Sequence, residues 1–221
     1  MNSSFQHSSR RKFLSSVALS SAAFAIPGAF AEELTRTASV EEGPFYPTKL
    51  PLDTDNDLLI INDSITPAIG EVTHLSGRLL DSRGAPLKNA LIEIWQVDSK
   101  GVYLRARGPN PTKYDSNFQG FGRFLTGSTG EYYFRTIKPS GYEGRPAAHI
   151  HFAVKTKGRD KWTTQLFIKG YPGNNRDRLY RSIESPKAQE SVTVDFTPLT
   201  NSRIGEVAAR FDIVLGFTPE I

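Results

Sequence analysis

The 221-residue chain predicts an all-β fold: a two-sheet β-sandwich core with long loops, an extended N-terminal arm and little helix. Three observations carry that prediction. Beyond residue 70, short runs rich in Val, Ile, Thr, Tyr and Phe are separated by Gly, Pro, Asp and Ser, the punctuation of strands joined by tight turns. Seven such runs occur, enough for two packed sheets. Helical spacing is convincing only over 175–183, where Leu179 and Ile183 stand four apart.

In chain order, residues 1–31 differ in kind from the rest. Ser9-Arg10-Arg11-Lys12-Phe13-Leu14 resembles a twin-arginine export motif, and an Ala/Ser-rich apolar run over 17–25 leads to a small-residue site, Ala29-Phe30-Ala31. That run is too short and too polar for a membrane anchor. Residues 1–31 are therefore expected to be a removed signal peptide, and the chain to be exported to the periplasm or beyond the cell. Three of the 27 basic residues and none of the 23 acids lie there, so the formal charge of +4 falls to near +1 without it. No basic tract is left to bind nucleic acid. With no cysteine, an oxidising destination contributes no disulfide.

Residues 32–69 are Pro-rich and poorly periodic, and read as an extended arm. Glu42-Gly43-Pro44-Phe45-Tyr46-Pro47 and Leu58-Leu59-Ile60-Ile61-Asn62 carry enough apolar side chains to pack on the body or on another subunit. Residues 70–221 form the expected sandwich domain, with strands over 73–80, 90–97, 131–137, 148–155, 163–168, 191–196 and 208–215. Asp81-Ser82-Arg83-Gly84 and Gly127-Ser128-Thr129-Gly130 supply the glycines that reversals require. Residues 101–122, with four Gly and two Pro, read as one long loop, a usual place for a site on a rigid sheet.

The chemistry concentrates in Tyr142-Glu143-Gly144-Arg145-Pro146-Ala147-Ala148-His149-Ile150-His151. On a strand, His149 and His151 share one face while Ile150 turns to the core. On its own, His-x-His fits an ordinary strand as well as a metal site. Without cysteine, thiolate zinc, iron–sulfur and blue-copper sites are excluded. Of the other histidines, His7 lies in the expected leader and His74 in a predicted strand with no ligand beside it in sequence. Oxygen ligands are the remaining option. A phenolate is a hard anionic donor, and a ferric ion can hold it ionised against an ordinary pKa of about 10.

Ala90-Leu91-Ile92-Glu93-Ile94-Trp95-Gln96, Gly101-Val102-Tyr103, the run from Asp115 to Arg123, Thr136-Ile137-Lys138-Pro139, Tyr142 and Ala148-His149-Ile150-His151-Phe152 together resemble the intradiol ring-cleavage dioxygenases, most closely the protocatechuate 3,4-dioxygenase type. The resemblance covers roughly residues 42–215. It implies one non-haem Fe(III) per chain, held by Tyr103, Tyr142, His149 and His151 on a β-sandwich, with Tyr142 the ligand that substrate displaces. Tyr114, Tyr132 and Tyr133 fall where the family has packing residues. Arg145 resembles the arginine that stabilises the ketonised substrate, and Gln165 a polar pocket residue. Arg145 departs from the pattern, standing four rather than three residues before the first histidine; a local bulge would absorb the difference.

The implied reaction opens a catechol-type ring between its hydroxyl-bearing carbons with O2, giving a muconate-type diacid. Implied partners are a small catechol and O2, in a homo-oligomer, since all four ligands lie in one chain. Two other readings stand beside it: an exported β-sandwich binding module without catalysis, and a zinc or copper hydrolase-like site using His149, His151 and Glu143.

Overall fold

The computed structural model describes residues 34–62, 65–104 and 114–217. The expected signal peptide and the middle of the 101–122 loop lie outside the described residues. Ten strands form two five-stranded sheets: β1 (Val72–Leu80), β2 (Leu91–Trp95), β3 (Phe121–Leu125), β4 (Glu131–Ile137), β5 (His149–Lys155), β6 (Trp162–Ile168), β7 (Thr193–Val194), β8 (Phe196–Pro198), β9 (Val207–Arg210) and β10 (Ile213–Val214). In the first sheet β1 is antiparallel to β4 and parallel to β9 and β10, with β8 beyond β9. The second runs β3-β2-β5-β6-β7. Among the described residues no helix is long and apolar enough to cross a membrane.

Strand alternation divides each sheet into two faces. Leu75, Leu79 and Phe134 of the first sheet meet Ile92, Ile94, Ile150, Phe152, Val154 and Leu166 of the second in one buried core. Each such side chain contributes about 1.5–3 kcal/mol. The arm joins this core through Leu58 and Leu59, both almost fully buried. Its backbone is tied to the sandwich by Leu58 N–H to the Arg135 carbonyl at 2.8 Å and by Gln119 N–H to the Leu58 carbonyl at 3.0 Å.

Four departures from the sequence expectation have physical causes. Residues 121–125 are a strand, although they fell in or beside the expected loop. Gly122 interrupts their apolar pattern because a Cβ there would come within 2.6 Å of Leu58 Cδ1 and 2.8 Å of the Asp55 carbonyl oxygen. The single strand expected over 191–196 divides at Asp195, where the chain crosses from the second sheet (β7 on β6) to the first (β8 on β9). The strand expected over 208–215 is interrupted at Asp212, whose carboxylate accepts the Arg78 N–H at 2.8 Å in place of a backbone carbonyl. The helix expected over 175–183 is shorter: a 3-10 turn over Asn174–Arg176, then α1 (Arg178–Arg181). A second short helix, α2 (Pro186–Glu190), follows with Ser185 as N-cap and Pro186 in its first turn.

Candidate metal centre

The outer face of the second sheet holds the candidate residues in rows set by strand register. His151 on β5 is paired with Trp95 on one side and Gln165 on the other, and Trp95 with Phe121. His149 lies two residues earlier on the same face, opposite Phe167. Ile150 points to the core, as the spacing predicts. This outer face is buried as well, because the arm and two loops cover it with Phe45, Tyr46, Leu50, Tyr103 and Tyr142.

Tyr103 arrives on a short loop after β2 that a buried carboxylate organises. Asp98 accepts the N–H groups of Lys100 at 2.9 Å and Val102 at 3.0 Å on one oxygen, and that of Asp115 at 2.8 Å on the other. Gly101 turns this loop at φ +80°, and a Cβ there would lie 3.1 Å from Tyr142 Cβ. The close approach sets the two tyrosine rings edge to face at 5.6 Å.

Tyr142 and Arg145 close a two-residue hairpin by reciprocal backbone bonds of 2.9 and 3.0 Å. Gly144 takes φ +85° in that turn. Arg145 is drawn inward, its side chain only 18% exposed, and gives Nε to Asp177 at 2.9 Å and Nη2 to Gln165 at 2.8 Å. Gln165 in turn donates to the Glu41 carbonyl of the arm at 2.9 Å.

Three of the candidate ligand atoms meet, with the ring of the fourth residue, Tyr142, beside them. Tyr103 Oη lies 2.8 Å from His151 Nε2 and 3.3 Å from His149 Nε2, and the Tyr142 ring is 5.8 Å from that of His149. Ligand atoms about 2.0–2.1 Å from a first-row ion are themselves roughly 3 Å apart, so these separations suit a shared ion. His149 Nδ1 is 2.7 Å from the Ala147 carbonyl. Only an N–H can serve that acceptor, so its Nε2 lone pair faces Tyr103. The His151 ring is held by stacking on Trp95 at 4.8 Å, and its buried Nδ1 has no hydrogen-bond partner among the described residues.

Burial, with Arg145 nearby, brings His149 down to about 4 despite the Ala147 bond. Burial, then His149 and Arg145, hold His151 well below its ordinary value. Burial first, then Tyr142, pushes the Tyr103 phenol far up, and burial raises Tyr142. The imidazoles thus keep free lone pairs, while the phenols need a strong cation to ionise. These donors fit a hard, oxidised metal ion. Among the described residues no cluster of three or more His, Cys, Asp or Glu gathers, and Glu143, the acid of the hydrolase-like reading, is exposed on its turn.

In metal-free protein these shifts predict acid lability. Between the ordinary histidine value of 6.5 and about 4, the unfolded chain binds a proton at His149 that the folded chain does not. Stability should fall through that window by on the order of 3 kcal/mol for this group, and His151 should extend the loss to lower pH. Urea midpoints of the chelator-treated chain from pH 7 to pH 4 measure it; a flat midpoint would contradict the buried neutral imidazoles.

Tyr114, Tyr132 and Tyr133 pack rather than converge. Tyr114 and Tyr132 give their hydroxyls to the carbonyls of Phe118 and Phe211. Tyr133 bonds His74 Nδ1 at 2.6 Å, and Glu206 lies 3.1 Å from the other ring nitrogen. So His74, with no partner nearby in sequence, finds two across the fold. Asp177 escaped the sequence reading. It is fully buried, caps α1 at the N–H groups of Leu179 and Tyr180, and holds both Arg145 and the Ala147 N–H. Its only sequence signal is a capping residue type within the stretch expected to be helical, 175–183.

The Dioxygenase family profile matches residues 41–216. The protocatechuate 3,4-dioxygenase beta chain of Burkholderia cepacia is 32% identical over 155 residues, 66% of this chain and 65% of that protein. The catechol 1,2-dioxygenase of Acinetobacter baylyi is 31% identical over 160 residues, 65% of this chain and 50% of its own length. The chain thus spans about half to two thirds of these curated relatives. Among solved structures, the dioxygenase domain of a dioxygenase carbohydrate-binding protein fusion from Streptomyces sp. SirexAA-E superposes with TM-score 0.62 at 27% identity, covering 83% of this chain and 99% of that one. The 3-chlorocatechol 1,2-dioxygenase of Rhodococcus opacus 1CP, at 22% identity and TM-score 0.64 over 91% of this chain and 78% of its own, shares the fold.

Proposed function

The chain belongs to the intradiol ring-cleavage dioxygenase family, and from that premise we propose that it is an Fe(III)-dependent dioxygenase opening a catechol-type ring between its hydroxyl-bearing carbons to a muconate-type diacid. The convergence of His149 Nε2 and His151 Nε2 within 3.3 Å of Tyr103 Oη, with the Tyr142 ring edge-on to Tyr103 at 5.6 Å, carries the reading. Tyr103, Tyr142, His149 and His151 would hold the iron, which when bound supplies Lewis acidity and an electron path between a catecholate and dioxygen.

The chain's own groups have distinct tasks. Tyr142 sits on a turn and is half-buried, so its side chain can move with little repacking and its phenolate oxygen can accept a catechol proton. Arg145, fixed by Asp177 and Gln165, keeps a positive charge beside the tyrosines and histidines, where negative charge would build on an oxidised ring. Phe45 stacks on Tyr103 at 4.3 Å and helps to wall a cavity of about 590 Å³ with Pro44, Trp95, Leu104 and Gly120. The largely apolar wall suits a flat aromatic ring. A homo-oligomer would need no second subunit's ligands, and the Arg10-Arg11 motif supports export of the folded, metal-loaded chain.

Supplying catechol and protocatechuate in aerated buffer and identifying the product by mass tests this reading. A muconate-type diacid is expected, from a protein coloured by phenolate-to-iron charge transfer. Tyr103→Phe should weaken the colour and cut turnover by at least the roughly 10–100-fold that outer-shell changes cost. A semialdehyde product, or a colourless protein with one iron per chain, would refute it.

A further inference from the structure

One step along the outer face from the row of His151 lies a fully buried carboxylate, Glu93 on β2. Its cross-strand partner Arg123 places Nε 2.9 Å and Nη2 2.7 Å from Oε1. Lys155 of β5 brings Nζ to 2.9 Å from Oε2. Two cations already more than balance this one anion. Yet Oε2 also accepts a bond of 2.8 Å from the hydroxyl of Tyr46, which belongs to the arm. Burial pushes the Glu93 carboxyl up, but the bonds from Lys155, Tyr46 and Arg123 outweigh it and hold the group below its ordinary value.

The surroundings of Tyr46 explain why a tyrosine suits this position. The ammonium groups of Lys161 and Lys155 lie 4.0 and 5.7 Å from its ring centroid. An electron-rich ring is favoured beside positive charge. Trp95 and Phe121 meet it edge to face at 5.1 and 6.1 Å. The preceding residue, Phe45, stacks on Tyr103 at 4.3 Å and 13° and faces Tyr142 edge-on at 6.3 Å. Neighbouring arm residues therefore join a buried ion cluster to the rings of two candidate ligands.

We propose that Glu93 is a positioning residue: by holding the Tyr46 hydroxyl it docks residues 42–48 on the sheet and keeps Phe45 stacked on Tyr103, fixing the wall of the substrate cavity. The link to substrate rests on the function proposed above, whereas the docking of the arm does not. Both parts are open to measurement.

Amide hydrogen exchange in the metal-free chain reads the docking directly. Tyr46→Phe keeps the ring and the ion pairs but loses the hydroxyl, and with it both the bond to Glu93 and the 3.2 Å bond accepted from Lys155, so exchange over residues 41–48 should rise at least about tenfold, the effect of one hydrogen bond to a charged group, while β5 and β6 keep their protection. Glu93→Gln should do the same. Unchanged arm exchange in Tyr46→Phe overturns the proposal, even if Glu93→Gln loosens the sheet, because the cluster would then only stabilise strands. In iron-loaded Tyr46→Phe, the charge-transfer maximum should shift and KM for catechol should rise by a larger factor than kcat falls. A wild-type chain that turns over no catechol would defeat the proposed function and leave the exchange result to decide the docking.

Discussion

His149→Ala is expected to yield a chain that folds but retains little iron and turns over no catechol. His149 supplies one of two Nε2 atoms around the Tyr103 oxygen, and its orientation is fixed by the 2.7 Å contact with the Ala147 carbonyl. Removing it leaves one imidazole and two phenols that burial disposes against ionising. No described carboxylate stands ready to replace it, since Glu143 is exposed and Asp177 is committed to Arg145 and α1. The affinity loss should exceed the roughly 10–100-fold seen when only an outer-shell partner is lost. Elemental analysis of protein purified without added metal measures it. One iron per chain in the variant would remove His149 from the centre.

Asp177→Ala should produce the largest loss of stability among changes that touch no candidate ligand. The carboxylate accepts from Arg145 Nε at 2.9 Å, from the Ala147 N–H at 3.2 Å and from the Leu179 and Tyr180 N–H groups at 3.0 Å each. Its removal leaves a largely buried guanidinium without its counter-ion, at a cost of about 3–5 kcal/mol in fully buried cases. Loss of the N-cap adds about 1 kcal/mol. Because Arg145 keeps some exposure, a total near 3 kcal/mol is expected, or a melting temperature lower by roughly 10 °C. Turnover should fall further than iron content, since Arg145 would lose its direction while the four ligands stay. Asp177→Asn, which can still cap α1, should recover part of the stability and little of the turnover. A variant within 1 kcal/mol of wild type would show that Arg145 finds another anchor.

The parts legible in the sequence were those whose physics is local. β1, β4, β5 and β6 lie within one residue of the expected ranges. The pairing of His149 with His151 needed only the two-residue period of a strand. What escaped notice depended on partners distant in the chain. Gly122 hid β3 because the reason for a glycine there, Leu58 and the Asp55 carbonyl, comes from the arm. The division at Asp195 reflects which sheet each half joins, and no local propensity encodes that choice. Asp177 and Arg145 are 32 residues apart and Tyr46 and Glu93 are 47 apart, so neither contact left a spacing to read. The proposed ligand set rests on several ordered motifs together, since two tyrosines and two histidines in isolation leave many assignments open.

The pairing of β1 with β9 and β10 joins residues about 134 positions apart, as between Arg78 and Asp212. At 5–20 residues per second, a ribosome that has just made β1 needs roughly 7–27 seconds more to deliver its partners. Throughout that interval one edge of the first sheet offers unpaired backbone groups to any neighbouring nascent chain. The hazard of misassembly therefore lies in synthesis rather than in the finished protein, and slower translation of residues 81–206 should lower the yield of soluble product without altering the stability of what folds.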